Sequence, residues 1–301
     1  MFMRRLRRLT TVPVVFLIVI IMAMITSCGG SGSSPDGISG ETAANNNGIT
    51  ENKTNTTLTV TAIKGGAADT FVLISQDHVA IIDTGLDKKA DRLVDFLKEQ
   101  GVTKVDELII THFDKDHVGG ADHVLDNFEV GKVYVTYHSK DSDDITSYME
   151  ALQENNVQET VVKDIVSYEY DGISFTIYPP GKQEYRLKTS NNSSLAIRVV
   201  LGEKSMLFTG DAEEERIEEL LKIKGLQSTI LKVPHHGRYS YNTEDLVKYV
   251  KPEYAVITSS KSDPEDREVM DILEENGVVT YLSRDGNITI TMTAGEVTIT
   301  Q

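Results

Sequence analysis

The 301-residue chain has a single cysteine, Cys28, so no thiol remains for a disulfide in the residues that follow it. Proteins outside the cytoplasm commonly use disulfides to stabilise small domains. A domain built from the residues after Cys28 must instead be stabilised by its hydrophobic core, with bound metal as the other available cross-link.

Basic residues are also scarce. The chain has 30 Lys and Arg against 46 Asp and Glu, for a net charge of −16. The excess of acid grows further if the arginines at positions 4, 5, 7 and 8 are removed with a leader. Such a surface repels phosphate backbones, which excludes tight nonspecific nucleic-acid binding by charge alone. An anionic substrate would need a local positive site.

Long apolar runs are confined to the N-terminus. A basic stretch at residues 4–8 precedes an apolar run at about residues 12–25, which is typical of a signal peptide and short for a membrane span. The run ends in Ile25-Thr-Ser-Cys28, which resembles a bacterial lipobox. We expect residues 1–27 to be a lipoprotein signal peptide, Cys28 to be lipidated, and the protein to be anchored on the extracytoplasmic side of a bacterial membrane. The alternative is an uncleaved anchor with an incidental cysteine.

Composition divides the residues after the predicted signal peptide into two parts. Residues 28–57 are mainly Gly, Ser, Asn and Thr, which predicts a flexible tether. Residues 58–301 alternate strand-like and helix-like patterns without an internal boundary, which predicts one α+β domain. Strand meanders with helices in both halves favour two sheets face to face with helices outside, a four-layer αββα sandwich.

A dense group of metal-donor residues follows a predicted strand. The segment Thr111-His-Phe-Asp-Lys-Asp-His117 contains the donors His112, Asp114, Asp116 and His117. On an extended backbone the first three would project the same way, and His117 would join them as the chain turns into a helix. The alternative is a solvated turn with incidental histidines, but the density of donors favours a metal site.

A second donor set comes about 90 residues later at the ends of two apolar strands, where sites on sheet scaffolds usually lie. Asp211 ends a Thr-Gly-Asp motif, and His235 and His236 form a Pro-His-His-Gly motif. Taken alone, Asp211 would serve equally well as the N-cap of the following helix.

In chain order, these motifs and Asp83-Thr-Gly85 resemble the metallo-β-lactamase superfamily over roughly residues 58 to 260. Three further segments resemble the hydrolase domain of ComEC-type competence proteins, namely residues 66–69, 191–195 and 231–237. The superfamily pattern His-x-His-x-Asp-His has Asp114 in place of its second histidine. Asn191 or Asn192 falls where the separate third histidine would lie. Both departures are ComEC-like and count against a penicillin-hydrolysing enzyme.

The resemblance implies two divalent metal ions, zinc or manganese, that activate a bridging hydroxide. His112 and Asp114 would hold one ion, and Asp211 would bridge to the second. The implied ligands of the second ion are Asp116, His117 and either His235 or His236. Asp116 and His117 are also the implied catalytic residues. Asp83 would orient a ligand histidine or fix the loop.

Candidate substrate contacts are weaker signals. Asn192, Ser240 and Asn242 are candidates for contacting substrate oxygens, and Lys232 or Arg238 for adding positive charge. Ordinary loop chemistry is the alternative for all five.

The resemblance implies hydrolysis of an extracellular phosphodiester, with DNA as the leading substrate. Alternatives are a lactone, thioester or cell-envelope ester hydrolase on the same ligands, and a noncatalytic surface-binding lipoprotein. No long apolar run follows residue 28, so we expect an enzyme that acts alone or beside a neighbouring membrane protein rather than a channel. The sequence makes no prediction of oligomeric state.

Overall fold

Short runs of β-branched and aromatic residues, separated by Gly, Asp and Asn turns, form the strands. The structure is a computed structural model that describes residues 56–301. Within that range the strands are β1 (Leu58–Ala62), β2 (Thr70–Ser75), β3 (His78–Thr84), β4 (Lys104–Ile110), β5 (Glu129–Val135), β6 (Glu159–Val161), β7 (Val166–Tyr170), β8 (Ile173–Tyr178), β9 (Ala196–Leu201), β10 (Lys204–Phe208), β11 (Ile230–Lys232), β12 (Tyr254–Ile257), β13 (Val279–Leu282), β14 (Ile288–Met292) and β15 (Val297–Thr300).

The helices come between these strands and carry apolar residues at helical spacing. They are α1 (Ala90–Glu99), α2 (Lys115–Val118), α3 (Ala121–Asn127), α4 (Asp143–Glu154), α5 (Thr189–Asn192), α6 (Glu214–Leu220), α7 (Thr243–Val250) and α8 (Arg267–Glu275), with short 3-10 turns at Asp87–Lys89 and Pro234–Gly237. In the part of the chain that the structure describes, none of them is both long and apolar enough to span a membrane.

Two mixed sheets result. The first has the strand order β15-β14-β1-β2-β3-β4-β5-β6, and the second has the order β13-β12-β11-β10-β9-β8-β7. Strands β3 to β6 are parallel to one another, and so are β10 to β13. The carboxyl ends of parallel strands share one edge of a sheet, which is where the donor motifs follow β4, β10 and β11.

Side chains alternate between two faces of each sheet, and this alternation produces the layers. On β4, Ile109 packs between the sheets while Leu108 and Ile110 pack under α1, α3 and α4. On β10, Phe208 packs between the sheets and meets Phe71 edge-on with ring centroids 5.1 Å apart, while Leu207 packs under α6, α7 and α8. The predicted four-layer αββα sandwich is confirmed.

Several predictions concern residues N-terminal to the part of the chain that the structure describes. The predicted signal peptide, Cys28 and nearly all of the predicted tether lie outside the described residues, so these remain predictions. The described residues all belong to one compact unit.

Candidate metal centre

The loop after β4 is shorter than the sequence suggested. Asp114 is extended, with φ −77° and ψ 146°, and α2 begins at Lys115. Asp116 and His117 therefore lie on a helical turn, and the expectation that Asp116 extends an alternating row with His112 was wrong. Successive residues of a helix point about 100° apart around its axis, and this spacing, rather than strand alternation, directs Asp116 and His117 toward the site.

Four side chains converge at this point: Asp116, His117, Asp211 and His236 each offer one ligand atom, all within 4.8 Å of one another. His117 Nε2 lies 3.2 Å from Asp211 Oδ1. His236 Nε2 lies 3.2 Å from Asp116 Oδ2 and 3.3 Å from Asp211 Oδ2. Imidazole and carboxylate donors in this arrangement suit a transition-metal ion.

His112 and Asp114 form a looser group beside it. His112 Nε2 lies 3.9 Å from Asp211 Oδ2 and 3.8 Å from Asp114 Oδ2. The Asp114 carboxylate is also bound by Lys140 and Ser190. The two predicted metal positions are therefore unequal, and Asp211 lies between them.

The structure distinguishes the two adjacent histidines. His236 is almost buried and its Nε2 faces the cluster, whereas the His235 side chain is 28% exposed and its Nε2 is 3.9 Å from Asp211 Oδ2. His235 Nδ1 instead lies 3.0 Å from Glu213 Oε1. Both backbones are left-handed, with φ 47° at His235 and 53° at His236, a strained conformation that turns the two rings apart. Of the two histidines, His236 is therefore the one that joins the candidate metal cluster.

Unsatisfied buried atoms test whether these residues fit a metal. Within the described residues, His112 Nε2, His117 Nε2 and Asp211 Oδ1 are buried without a hydrogen-bond partner. Unpaired buried polar atoms are rare because each costs free energy. Two of these atoms, His117 Nε2 and Asp211 Oδ1, belong to the four-residue cluster, and His112 Nε2 lies beside it, 3.9 Å from Asp211 Oδ2, an arrangement that fits bound cations.

The electrostatics lead to the same conclusion. Burial favours the neutral imidazole of His236, but Asp211 and hydrogen bonds to Asp116 outweigh it and raise the pKa of His236 to about 10. Burial favours the protonated form of Asp211, but His117 and His236 outweigh it and hold its pKa well below the usual range. His112 differs, since burial and the nearby His117 lower its pKa to about 4. A carboxylate field strong enough to hold protons on imidazoles also attracts metal cations.

Asp83 at the end of β3 fixes one ligand ring. Its side chain is fully buried and accepts hydrogen bonds from Thr111 N (2.7 Å) and Thr111 Oγ1 (2.7 Å). His117 Nδ1 lies 2.8 Å from Asp83 Oδ2. Because the carboxylate only accepts, His117 carries a proton on Nδ1, which leaves Nε2 as the atom that can bind a metal ion.

Asp211 is not a helix cap, which was the alternative left open by the sequence. Glu213 occupies the N-cap position of α6, and the Asp211 backbone N–H donates to Ser194 Oγ at 3.0 Å. This bond and the left-handed Gly210 (φ 51°) turn the carboxylate into the cluster. No Cβ would fit at Gly210, since it would meet Ser194 Oγ at 2.8 Å.

Two residues that the sequence did not connect with the metal centre lie directly behind it. Asp69 and Lys232 lie fully buried behind His236 and Asp211, in direct contact with each other. Lys232 is therefore not a substrate contact. The ComEC-like segments at residues 66–69 and 231–237 were the only sequence signal for the pair.

Two of the residues predicted to contact substrate are buried and hydrogen-bonded within the fold. Asn192 is buried, where it donates to Leu187 O (3.1 Å) and accepts from Arg216 N (3.0 Å). Asn242 is buried and donates to Glu214 O at 3.1 Å. These bonds tie both side chains to the fold, which removes them from the substrate prediction. Ser240 is buried too, but its Oγ has no hydrogen-bond partner among the described residues.

Comparisons with known proteins identify the family of the chain. The sequence profile described as "Metallo-beta-lactamase superfamily" matches residues 63–259, more than half of the chain. The ComE operon protein 3 of Bacillus subtilis (strain 168) is 29% identical over 173 residues, which cover 56% of this chain and 22% of that protein. Competence protein ComA of Neisseria gonorrhoeae is 27% identical over 203 residues, which cover 66% and 27%.

The chain thus matches only about a quarter of the length of these curated relatives. Among solved structures, the metallo-beta-lactamase fold protein YhfI from Bacillus subtilis has a TM-score of 0.51 at 11% identity, covering 81% of this chain and all of that one. At this identity the likeness shows the fold alone. The predicted resemblance to ComEC-type domains is confirmed by the relatives, and the chain belongs to the metallo-beta-lactamase superfamily of metal-dependent hydrolases.

Proposed function

We propose that this chain is a two-metal phosphodiesterase that acts outside the cytoplasm, with zinc or manganese as its metal and DNA as its leading substrate. The observation that carries the proposal is the cluster of ligand atoms from Asp116, His117, Asp211 and His236 at the carboxyl edge of the sheets. Within the described residues, His117 Nε2 and Asp211 Oδ1 of this cluster are buried without a hydrogen-bond partner. A fold kept only for binding would have no reason to leave these buried atoms unsatisfied.

The residues present suit two divalent ions. Asp116, His117 and His236 would hold one ion, His112 and Asp114 the other, and Asp211 both. When bound, such a pair supplies a nucleophilic water at neutral pH and offsets the negative charge that develops on the phosphoryl oxygens. The carboxylate-rich donor set is compatible with manganese as well as zinc.

The surrounding residues control protons and access. Asp83 holds a proton on Nδ1 of His117 and so keeps Nε2 free for ligation. Glu213 does the same for Nδ1 of His235, whose ring is the most exposed imidazole of the site. His235 is therefore the imidazole of the site that substrate would meet, through Nε2.

Two exposed cationic side chains contact carboxylates at the site. Lys140 contacts Asp114 and its side chain is 38% exposed. Lys188 lies 2.5 Å from Glu213 Oε2 and its side chain is 57% exposed. In a chain of net charge −16, these amines are the cationic groups that an anionic substrate would meet beside the bound metal ions. This supports a phosphoester over a neutral lactone.

The names of relatives support nucleic acid as the substrate. They include the competence protein ComA and the "Recombination protein 2" of Haemophilus influenzae, which is 26% identical over 172 residues covering 57% of this chain and 20% of that protein. Since most of each relative lies outside the match, their substrates are carried over only as part of this proposal.

The proposal is tested by turnover of bis-(p-nitrophenyl) phosphate by the full chain with Zn²⁺ or Mn²⁺ added, beside a lactone and a thioester. We expect metal-dependent phosphodiester turnover that is abolished in Asp116→Ala together with a loss of bound metal. Turnover of the lactone or thioester alone would replace the proposed substrate class. Unchanged metal content in the Asp116 variant would refute the ligand assignment.

The extracytoplasmic, lipid-anchored location is a separate part of the proposal, supported by the Ile25-Thr-Ser-Cys28 sequence. We expect Cys28→Ala to abolish labelling by a palmitate analogue in bacterial cells and to release or mislocalise the protein without loss of hydrolysis. Retained lipid labelling in this variant would contradict the anchor.

A further inference from the structure

Lys232 is a fully buried ammonium at the end of β11, directly behind the candidate metal centre. Its Nζ contacts the Asp69 carboxylate, donates to Gly210 O at 2.9 Å and lies 3.6 Å from Asp211 Oδ1. A buried ammonium is costly unless it is paired. Lys232 has two carboxylates within reach, and one of them is the expected bridging ligand.

Asp69 is the partner that Lys232 approaches most closely, and it also reaches the ligand residues. Its Oδ1 accepts from Thr258 Oγ1 at 2.5 Å and lies 3.3 Å from His236 Nδ1. Thr258 Oγ1 in turn is 3.0 Å from His236 Nδ1. The Asp69 backbone N–H donates to Asp116 O at 3.1 Å. Asp69 thereby fixes the ring of His236 and the turn that carries Asp116.

The geometry sets up a competition for Asp211. Without a counter-charge at Asp69, the Lys232 ammonium would remain buried, and its nearest remaining carboxylate is Asp211. A direct hydrogen bond in place of the present 3.6 Å separation would occupy Asp211 Oδ1, which is buried without a hydrogen-bond partner among the described residues. The metal ions would then lose the ligand that they share.

We propose that Asp69 is a positioning residue that holds Lys232 away from Asp211 and fixes His236, so that both ligands stay available to metal. This inference rests on the metal-dependent function proposed above. Carboxylates that orient metal-bound histidines typically change metal affinity by about 10- to 100-fold. Here the same carboxylate also restrains an internal cation that competes with the metal.

The test is titration of the metal-free full chain with ZnCl₂ against a chromophoric chelator, with thermal unfolding in EDTA as the measure of folding. Asp69→Asn should bind Zn²⁺ about 10- to 100-fold more weakly than the wild type. The double variant Asp69→Asn/Lys232→Met removes the competing ammonium and keeps a similar side-chain length. It should bind Zn²⁺ about tenfold more tightly than Asp69→Asn alone.

The unfolding midpoint in EDTA separates positioning from a structural role, because Lys232→Met also removes an unpaired buried charge and so restores stability as well. Weaker Zn²⁺ binding by Asp69→Asn at a temperature where its metal-free form is folded is due to positioning. Equal Zn²⁺ affinity in Asp69→Asn and the wild type would overturn the proposal. Equally weak binding in the single and double variants would overturn the competition. If the wild type itself binds no Zn²⁺ or Mn²⁺, the proposed function fails.

If Asp69→Asn does not fold, Zn²⁺ binding is measured on Thr258→Val instead. This variant removes only the hydroxyl that donates to Asp69 and contacts His236 Nδ1. Weaker Zn²⁺ binding with an unfolding midpoint in EDTA close to that of the wild type supports the positioning role. Unchanged Zn²⁺ binding contradicts it.

Discussion

Replacing Asp83 by Asn exchanges one oxygen of a buried carboxylate for an NH₂ group. This tests how the carboxylate affects the ring of the candidate ligand His117. Asn keeps an oxygen for Thr111 N, and its amide can donate to Thr111 Oγ1, so both contacts to Thr111 survive. The contact to His117 does not, because the amide N–H would face Nδ1–H. His117 must move its proton to Nε2, where it blocks metal binding, or lose its partner.

The magnitude follows from that one contact. A hydrogen bond to a charged group contributes about 1.5–3 kcal/mol to stability, and its loss should appear as a lower unfolding midpoint of the metal-free protein. Orienting carboxylates contribute about 10- to 100-fold in metal affinity, which corresponds to about 1.4–2.7 kcal/mol. We therefore expect Zn²⁺ affinity to fall by that factor in Asp83→Asn, measured by chelator competition.

Asp106→Asn is the matched control. Asp106 also accepts from a backbone N–H, that of Val79 at 3.0 Å, but it lies near the start of β4, away from the ligands. The control should lower stability and leave Zn²⁺ affinity unchanged. Unchanged Zn²⁺ affinity in Asp83→Asn would refute the claim that Asp83 sets the His117 tautomer.

Three further predictions follow from the site. His236→Ala should lose bound metal while His235→Ala should retain it, as measured by elemental analysis; equal losses would refute the assignment of His236 over His235. Lys188→Ala should raise KM for an anionic phosphodiester more at low salt than at high salt, because screening weakens attraction between exposed charges, while Lys182→Ala, in an exposed ion pair with Glu215, should leave KM unchanged. Chelation should lower the thermal unfolding midpoint, since bound metal stabilises the folded state by mass action; an unchanged midpoint would argue against a metal centre.

The layer architecture could be predicted because period-two and helical patterns report burial directly. The sequence also pointed to the donor motifs that the structure brings together, since strand ends and dense donors are local features. It did not give the conformation at Asp116, because the start of α2 depends on how the turn packs beneath the first sheet. Nor did it predict α7, whose short amphipathic pattern follows an irregular loop at residues 238–242.

The ligand choice and the support of the site needed tertiary structure. His235 and His236 are equivalent in a Pro-His-His-Gly motif, and only their left-handed backbones and the position of Glu213 separate them. Asp69 and Lys232 are 163 positions apart in the sequence, so their contact is set by the packing of the two sheets. No local pattern identifies such a pair.

The proposed function depends on the cluster around Asp211 being a metal centre, and elemental analysis of the full chain measures the bound metal. After exposure to Zn²⁺ or Mn²⁺ and removal of free metal, we predict about two ions per chain, as two-metal hydrolases hold, and a loss of both in Asp211→Asn. A wild-type chain without metal, or an Asp211 variant with the same metal content as the wild type, would contradict the account.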